Sequence, residues 1–252
     1  MKKILWLVSL VLLFSFGGLA SAKEIDTAAI YQGSTIEALL AGNYSGVASV
    51  KQIKQKGDTG LGTFAGLDGE MIILDGQVYK AAKNGTVTLE GDAAQSPFYA
   101  VTQLRKNGNE VKLAEATDYA ALKLQIDNLR SRSDLPYAVV VKGTFAALTV
   151  RSVGPYEKPY PLLSNAVKEQ SVFQYKNVQG TLVGFWLPSY LGNANASGYH
   201  LHFLSDDKQK GGHVLELQMR EGRLLLDEKS KLEIEFAPYQ TVPLLQKDSY
   251  KS

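Results

Sequence analysis

The stretch GYHLHFLSDDKQKGGHVLEL, Gly198 to Leu217, reads as strand, turn and return strand, and it holds His200, His202 and His213, every histidine in the chain. Residues i and i+2 of a strand share a face, so His200 and His202 point one way and Leu201 points the other, into a core. Asp206 to Gly212 is polar and ends in Gly211-Gly212, which turns the chain. His213 then opens Val214-Leu215-Glu216-Leu217, which alternates as a returning strand. A hairpin of this form brings His213 beside the other two. Three imidazoles on one surface can hold zinc (Zn2+) or a similar ion and leave positions open, which marks a catalytic rather than a structural site. The competing reading is three half-buried sheet histidines with backbone partners. The spacing alone does not name a reaction. It also lacks the glutamate that follows His-x-His in cupins, since Leu204 to Asp207 contain none.

Outward from the hairpin, most of the chain reads as strand. Met71 to Leu74 is an apolar run between the turn dipeptides Asp68-Gly69 and Asp75-Gly76. Ala138 to Val153, Thr181 to Leu187 and Leu224 to Phe236 carry similar patterns. Ser34-Thr35-Ile36-Glu37 has the form of a capping box with Ser34 as N-cap, opening a short helix that ends at Gly42-Asn43. Tyr119, Leu122, Ile126 and Leu129 recur at helical spacing and predict a second helix over Thr117 to Arg132. Helices and antiparallel strands without regular βαβ alternation give an α+β (mixed α/β) class, with two β-sheet subdomains and few helices. The predicted division is 23–153 and 154–252. The proline-rich stretch Gly154 to Pro161 is either the connector between them or an ordinary ordered loop.

Residues 1–22 have the layout of a secretory signal peptide: Lys2-Lys3, an apolar run from Ile4 to Phe16, and Ala20-Ser21-Ala22 as a cleavage site. The run is short for a membrane span, so an exported protein, periplasmic or extracellular and free of the membrane after cleavage, is expected, with an uncleaved N-terminal anchor as the rival reading. The chain has 27 basic and 25 acidic residues, and the leader holds two of the basic ones, so the mature chain is formally neutral. It has no basic excess for a nucleic-acid partner. With no cysteine in the chain there are no disulfides, thiolate ligands or Cys nucleophiles, and any soft-metal chemistry falls to histidine.

Two further positions stand out. Glu70 follows four glycines in Gly60 to Gly69, at the mouth of the Met71 strand. It is either an exposed hairpin glutamate or a carboxylate reaching into a pocket. Arg151 ends the apolar run Phe145 to Val150, as a solvated strand end or as a bidentate carboxylate clamp.

Taken together, Gly57-Asp58-Thr59-Gly60-Leu61-Gly62-Thr63-Phe64, Gly66-Leu67-Asp68-Gly69-Glu70-Met71, Gly-Tyr-His-Leu-His-Phe-Leu and the distal His213 resemble the alpha-acetolactate decarboxylases, in that family's order and over most of the mature chain. The resemblance implies a zinc enzyme that converts the small molecule 2-acetolactate to acetoin and CO2 without thiamine. Zinc would chelate substrate oxygens and stabilise the enediolate. It implies His200, His202 and His213 as metal ligands, and Glu70, Arg151 and Thr63 as active-site residues. It also implies a two-domain homodimer with the zinc site in a cleft. Two departures accompany it. Ala65 stands where the family commonly has Asp, and Tyr239 to Ser252 contains no glutamate where the family carries an active-site one. Two alternatives remain: an exported metal- or small-ligand-binding homologue without catalysis, and a zinc lyase acting on a related hydroxy-keto acid.

Overall fold

The computed structural model describes residues 25–105 and 110–236. The expected leader and the C-terminal stretch Tyr239 to Ser252 lie outside them. In chain order the first half contains β1 (Ala29–Gly33), α1 (Ile36–Leu40), β2 (Ala48–Ser49), α2 (Val50–Lys54), β3 (Thr59–Thr63), β4 (Glu70–Leu74), β5 (Gln77–Ala81), β6 (Val87–Leu89), β7 (Gln95–Ser96) and β8 (Phe98–Thr102). The second contains β9 (Val111–Leu113), α3 (Tyr119–Asp127), β10 (Tyr137–Ser152), α4 (Leu163–Ala166), β11 (Ser171–Leu187), β12 (Gly198–Ser205), β13 (Gly211–Glu228) and β14 (Lys231–Glu235). The protein is mostly β-sheet with few helices. Among the described residues no helix is long and apolar enough to cross a membrane.

One large sheet has the strand order β14-β1-β8-β3-β4-β5-β6 and a second has β10-β11-β12-β13-β9, with a further β10–β13 pairing that closes β10 to β13 on themselves; β2 and β7 form a separate two-stranded pair. The closed strands enclose Val139, Val141, Phe145, Leu201 and Phe203, and Leu122 and Ile126 of α3 pack onto the same cluster. Ile30, Leu61, Ile72 and Ala100 of the first sheet meet Val140, Val183, Phe185 and Leu204 of the second in an apolar layer between the sheets. The outer face of the first sheet buries Met71, Ile73 and Tyr99 under Val50 and Ile53 of α2. Every strand of the site therefore has core on at least one face.

The predicted hairpin is present. β12 and β13 pair antiparallel with His202 opposite His213, and Leu201 is 1% exposed in the core. The β4–β5 turn also follows its sequence. Asp75 and Gly76 have φ of 50° and 73°, the conformation of a two-residue hairpin loop that tolerates few residues besides Asn, Asp and Gly.

Four expectations need correction. The N-cap of α1 is Thr35, whose Oγ1 accepts from Ala38 N at 3.1 Å. Ser34 instead bends the chain out of β1, with φ of 62° and its N–H donated to Glu235 O at 2.8 Å, so the cap moves one residue on. α3 stops at Asp127 rather than running to Arg132. Tyr137 Oη accepts the Arg132 N–H at 2.9 Å and draws the chain toward β10. The apolar runs after His213 and from Leu224 onward form one strand, β13, until Lys229 breaks it. The buried Lys229 ammonium donates to Asp227 at 2.7 Å and to the carbonyls of Thr27 (2.7 Å) and Gln103 (3.1 Å). Those three acceptors sustain its charge and hand the chain to the first sheet as β14. The sheets accordingly do not divide at 153/154. β9 and β10 belong to the second sheet, and β14 to the first.

The stretch 154–161 is an ordered loop against the first sheet. Tyr156 N donates to Gly66 O at 2.7 Å, and Tyr156 and Tyr160 pack with Leu39, Tyr44, Leu67 and Phe98. A Cβ at Gly154 would lie 1.7 Å from Leu67 O, so the loop approaches that closely only with glycine.

Candidate active site

Strand alternation puts His200 and His202 on the face of β12 opposite Leu201, and register puts His213 beside them. Their ring centroids are 4.9–5.3 Å apart, and one nitrogen from each ring lies within 4.8 Å of the others. The rings do not satisfy one another. His200 Nδ1, His202 Nε2 and His213 Nδ1 are buried without a hydrogen-bond partner. Three orphaned buried nitrogens are costly in a folded protein unless something accepts their lone pairs. His202 Nδ1 lies 2.7 Å from Met71 O, so that nitrogen carries the proton and Nε2 presents its lone pair. Burial lowers the His200 pKa to about 4, with Arg151 adding to the shift, and it drives those of His202 and His213 well below the usual range. All three rings are therefore neutral at neutral pH, the form that binds a metal. The donor set fits a divalent ion such as zinc.

β12 reaches this position because β11 lets it approach. A Cβ built on Gly184 would lie 2.0 Å from His200 O. Gly184→Ala is expected to force the two strands apart and to destabilise the protein by about 1–3 kcal/mol, as overpacking does. Calorimetric melting checks the stability, and dialysed metal content checks the displacement of His200.

Glu70 opens β4 opposite Thr63 of β3 and is 5% exposed. Its Oε1 is 3.3 Å from Arg151 Nη1, and its Oε2 is 3.5 Å from His202 Nε2. Arg151 lies directly across from His213 on the β10–β13 ladder. Burial pushes the Glu70 pKa up to about 6, and the Arg151 charge opposes the rise without cancelling it. Glu70 is thus a pocket carboxylate and not an exposed hairpin residue. Arg151 is not a solvated end: its side chain is 18% exposed and its Nη1 faces Glu70 Oε1. Thr63 Oγ1 donates to Gly69 O at 2.7 Å, tying the end of β3 to the turn before Glu70.

All six residues line one cavity of about 180 Å³, together with apolar side chains that include Ile36, Leu39, Leu67, Phe98, Val153 and Leu163. Both sheets contribute to its wall. The apolar residues and the Met71 carbonyl were not legible as site elements beforehand. An apolar side chain facing a cavity has the same sequence signature as one facing a core, and a main-chain acceptor has none.

The sequence matches the family model of alpha-acetolactate decarboxylase over residues 30–245. The alpha-acetolactate decarboxylase of Methanosarcina mazei is 44% identical over 206 residues, covering 79% of this chain and 68% of that protein. That of Bacillus subtilis (strain 168) is 34% identical over 212 residues, covering 84% and 83%. The crystal structure of the alpha-acetolactate decarboxylase from B. subtilis strain 168 superposes with a TM-score of 0.82 at 33% identity, over 85% of this chain and 91% of that one. A Staphylococcus aureus protein of unknown function, described as similar to alpha-acetolactate decarboxylase, gives 0.80 at 26% identity over 82% and 89%. Sequence and fold agree over the segment that builds the cavity: the chain belongs to the alpha-acetolactate decarboxylase family.

Proposed function

We propose that the protein is a zinc-dependent decarboxylase converting 2-acetolactate to acetoin and CO2 in the cavity between the sheets. The observation that carries this reading is the convergence on one small cavity of three neutral imidazoles, each with a buried nitrogen lacking a hydrogen-bond partner, a carboxyl group with a raised pKa and an arginine. His200, His202 and His213 would hold the ion. Bound there, zinc supplies Lewis-acid stabilisation for the negative charge that builds on the substrate oxygens as CO2 departs.

The chain's own groups do the rest. The Arg151 guanidinium fits a carboxylate in bidentate fashion, so it orients the group that leaves as CO2. The electron pair of the broken C–C bond stays on the substrate as an enediolate, which takes up a proton at carbon. Arginine is too weak an acid to give that proton. Glu70, with its pKa near neutrality, can hold it on a carboxyl oxygen at the cavity wall. Thr63 fixes the backbone before Glu70. The apolar wall surrounds the alkyl groups of the substrate and keeps water from the developing charge.

The test is acetoin formation from racemic 2-acetolactate by the mature protein, before chelation, after it and after return of zinc. An enzyme-free control is needed because acetolactate loses CO2 unaided. Acetoin well above the control, lost with the metal and restored with zinc, is the expected result. Zinc bound with no rate above the control would mean a binding homologue without catalysis, and activity only on another hydroxy-keto acid would mean a related lyase. The same reading holds that residues 1–22 direct export to the periplasm or beyond and that the enzyme is a homodimer. The leader layout supports the first and the family resemblance supports the second. N-terminal sequencing and analytical ultracentrifugation test them.

A further inference from the structure

Glu70 reaches the cavity from a turn in an unusual conformation. Leu67 has φ of 56° and Gly69 has φ of 85°. Glycine adopts the left-handed region freely, but leucine does so only where its surroundings over-determine it. The Leu67 side chain is buried, Gly69 N donates to Val153 O at 3.1 Å, and Gly69 O accepts from Thr63 Oγ1 at 2.7 Å. These interactions grip the turn at Leu67 and Gly69. Between them lies Asp68. Among the described residues, the cation that holds its carboxylate is Lys80, with Nζ 2.9 Å from Oδ2.

Lys80 is itself held in place. Its Nζ is 3.6 Å from Glu90 and 5.7 Å from the centre of the Phe64 ring, and its side chain is 22% exposed. It opposes Met71 on the β4–β5 ladder, whereas Glu70 opposes Ala81. Alternation therefore places Lys80 on the outer face of the sheet and Glu70 on the inner one. Lys80 is not part of the cavity wall.

We propose that Lys80 is a positioning residue for the decarboxylation: acting through Asp68 from behind the sheet, it clamps the Leu67–Gly69 turn that aims Glu70 at Arg151 and His202. The inference rests on the reading of Glu70 as the proton-holding group. A partly exposed ion pair contributes little to global stability, so its worth lies in where it holds the turn. A displacement of about 1 Å at a reacting group can cost about 10²-fold in rate.

The experiment compares Lys80→Met, which keeps an unbranched apolar stem and removes the charge, with Lys80→Arg, which restores a cation, both as zinc-loaded enzyme. Lys80→Met is expected to lower kcat by about tenfold, within the range that misplacement produces. KM should stay within about twofold, the pattern of a lost transition-state interaction. Lys80→Arg should recover most of the rate. In a crystal structure of Lys80→Met, Asp68 should be released and Glu70 should swing out of reach of Arg151. Wild-type kcat with Glu70 in place would overturn the role of Lys80, and so would equal losses in both variants, which report a merely structural residue. Glu70 displaced with kcat unchanged would uphold the clamp and remove Glu70 from the chemistry instead.

Discussion

His202→Ala is expected to lose stoichiometric zinc on dialysis and to form acetoin no faster than the enzyme-free control. Of the three imidazoles, His202 is the most firmly held. It is 1% exposed, its Nδ1 is bonded to Met71 O at 2.7 Å, and His213 lies opposite it on the neighbouring strand. That bond leaves Nε2 to the site, where it makes no hydrogen bond and faces Glu70 Oε2 at 3.5 Å. Loss of an outer partner of a ligating histidine typically weakens metal binding by about 10–100-fold, and loss of the ligand itself removes more. The alanine also removes the bond to the Met71 carbonyl, so circular dichroism must show a folded variant before metal is assayed. Stoichiometric zinc after dialysis would remove His202 from the ligand set.

The site was legible in sequence where its geometry follows from strand period and turn chemistry. His-x-His followed by a glycine-ended polar turn fixes a hairpin, and a hairpin fixes which side chains share a face. The β4–β5 hairpin was legible for the same reason, since Asp75-Gly76 admits few other conformations. Arg151 and Glu70 were harder. Both sit at strand ends, where pattern does not distinguish solvent from cavity, and their pairing joins residues 81 positions apart. The division of the chain was misread because sheet membership is long-range. Nothing local in Tyr137 to Ser152 says that it pairs with β11 and β13 rather than with the strands before it. Likewise, Lys229 looks like an ordinary surface lysine in sequence. Only the Thr27 and Gln103 carbonyls brought to it from distant segments, beside its near neighbour Asp227, show why the chain leaves one sheet for the other there.

Glu70→Gln separates a functional carboxylate from a structural one, because the two readouts should move in opposite directions. Turnover is expected to fall by more than about tenfold with zinc retained, since a general acid–base group contributes about 10²-fold or more. Stability should move the other way as pH rises. The folded-state pKa of Glu70 is raised from its ordinary 4.5 to about 6, chiefly by burial. The folded state therefore favours the neutral acid. The stabilisation this gives is complete below the unfolded pKa and is lost as pH climbs through the folded one, an effect of about 2 kcal/mol. Glutamine keeps the shape, carries no charge and does not titrate. In metal-free protein, the melting temperature of Glu70→Gln relative to wild type should therefore rise between about pH 4.5 and pH 7 and then level off. An offset constant across that range would mean that the carboxyl does not titrate there. Wild-type turnover in the variant would end its role in the reaction. A buried carboxylate that costs stability at neutral pH, and is needed for rate, is accounted for by chemistry and not by folding.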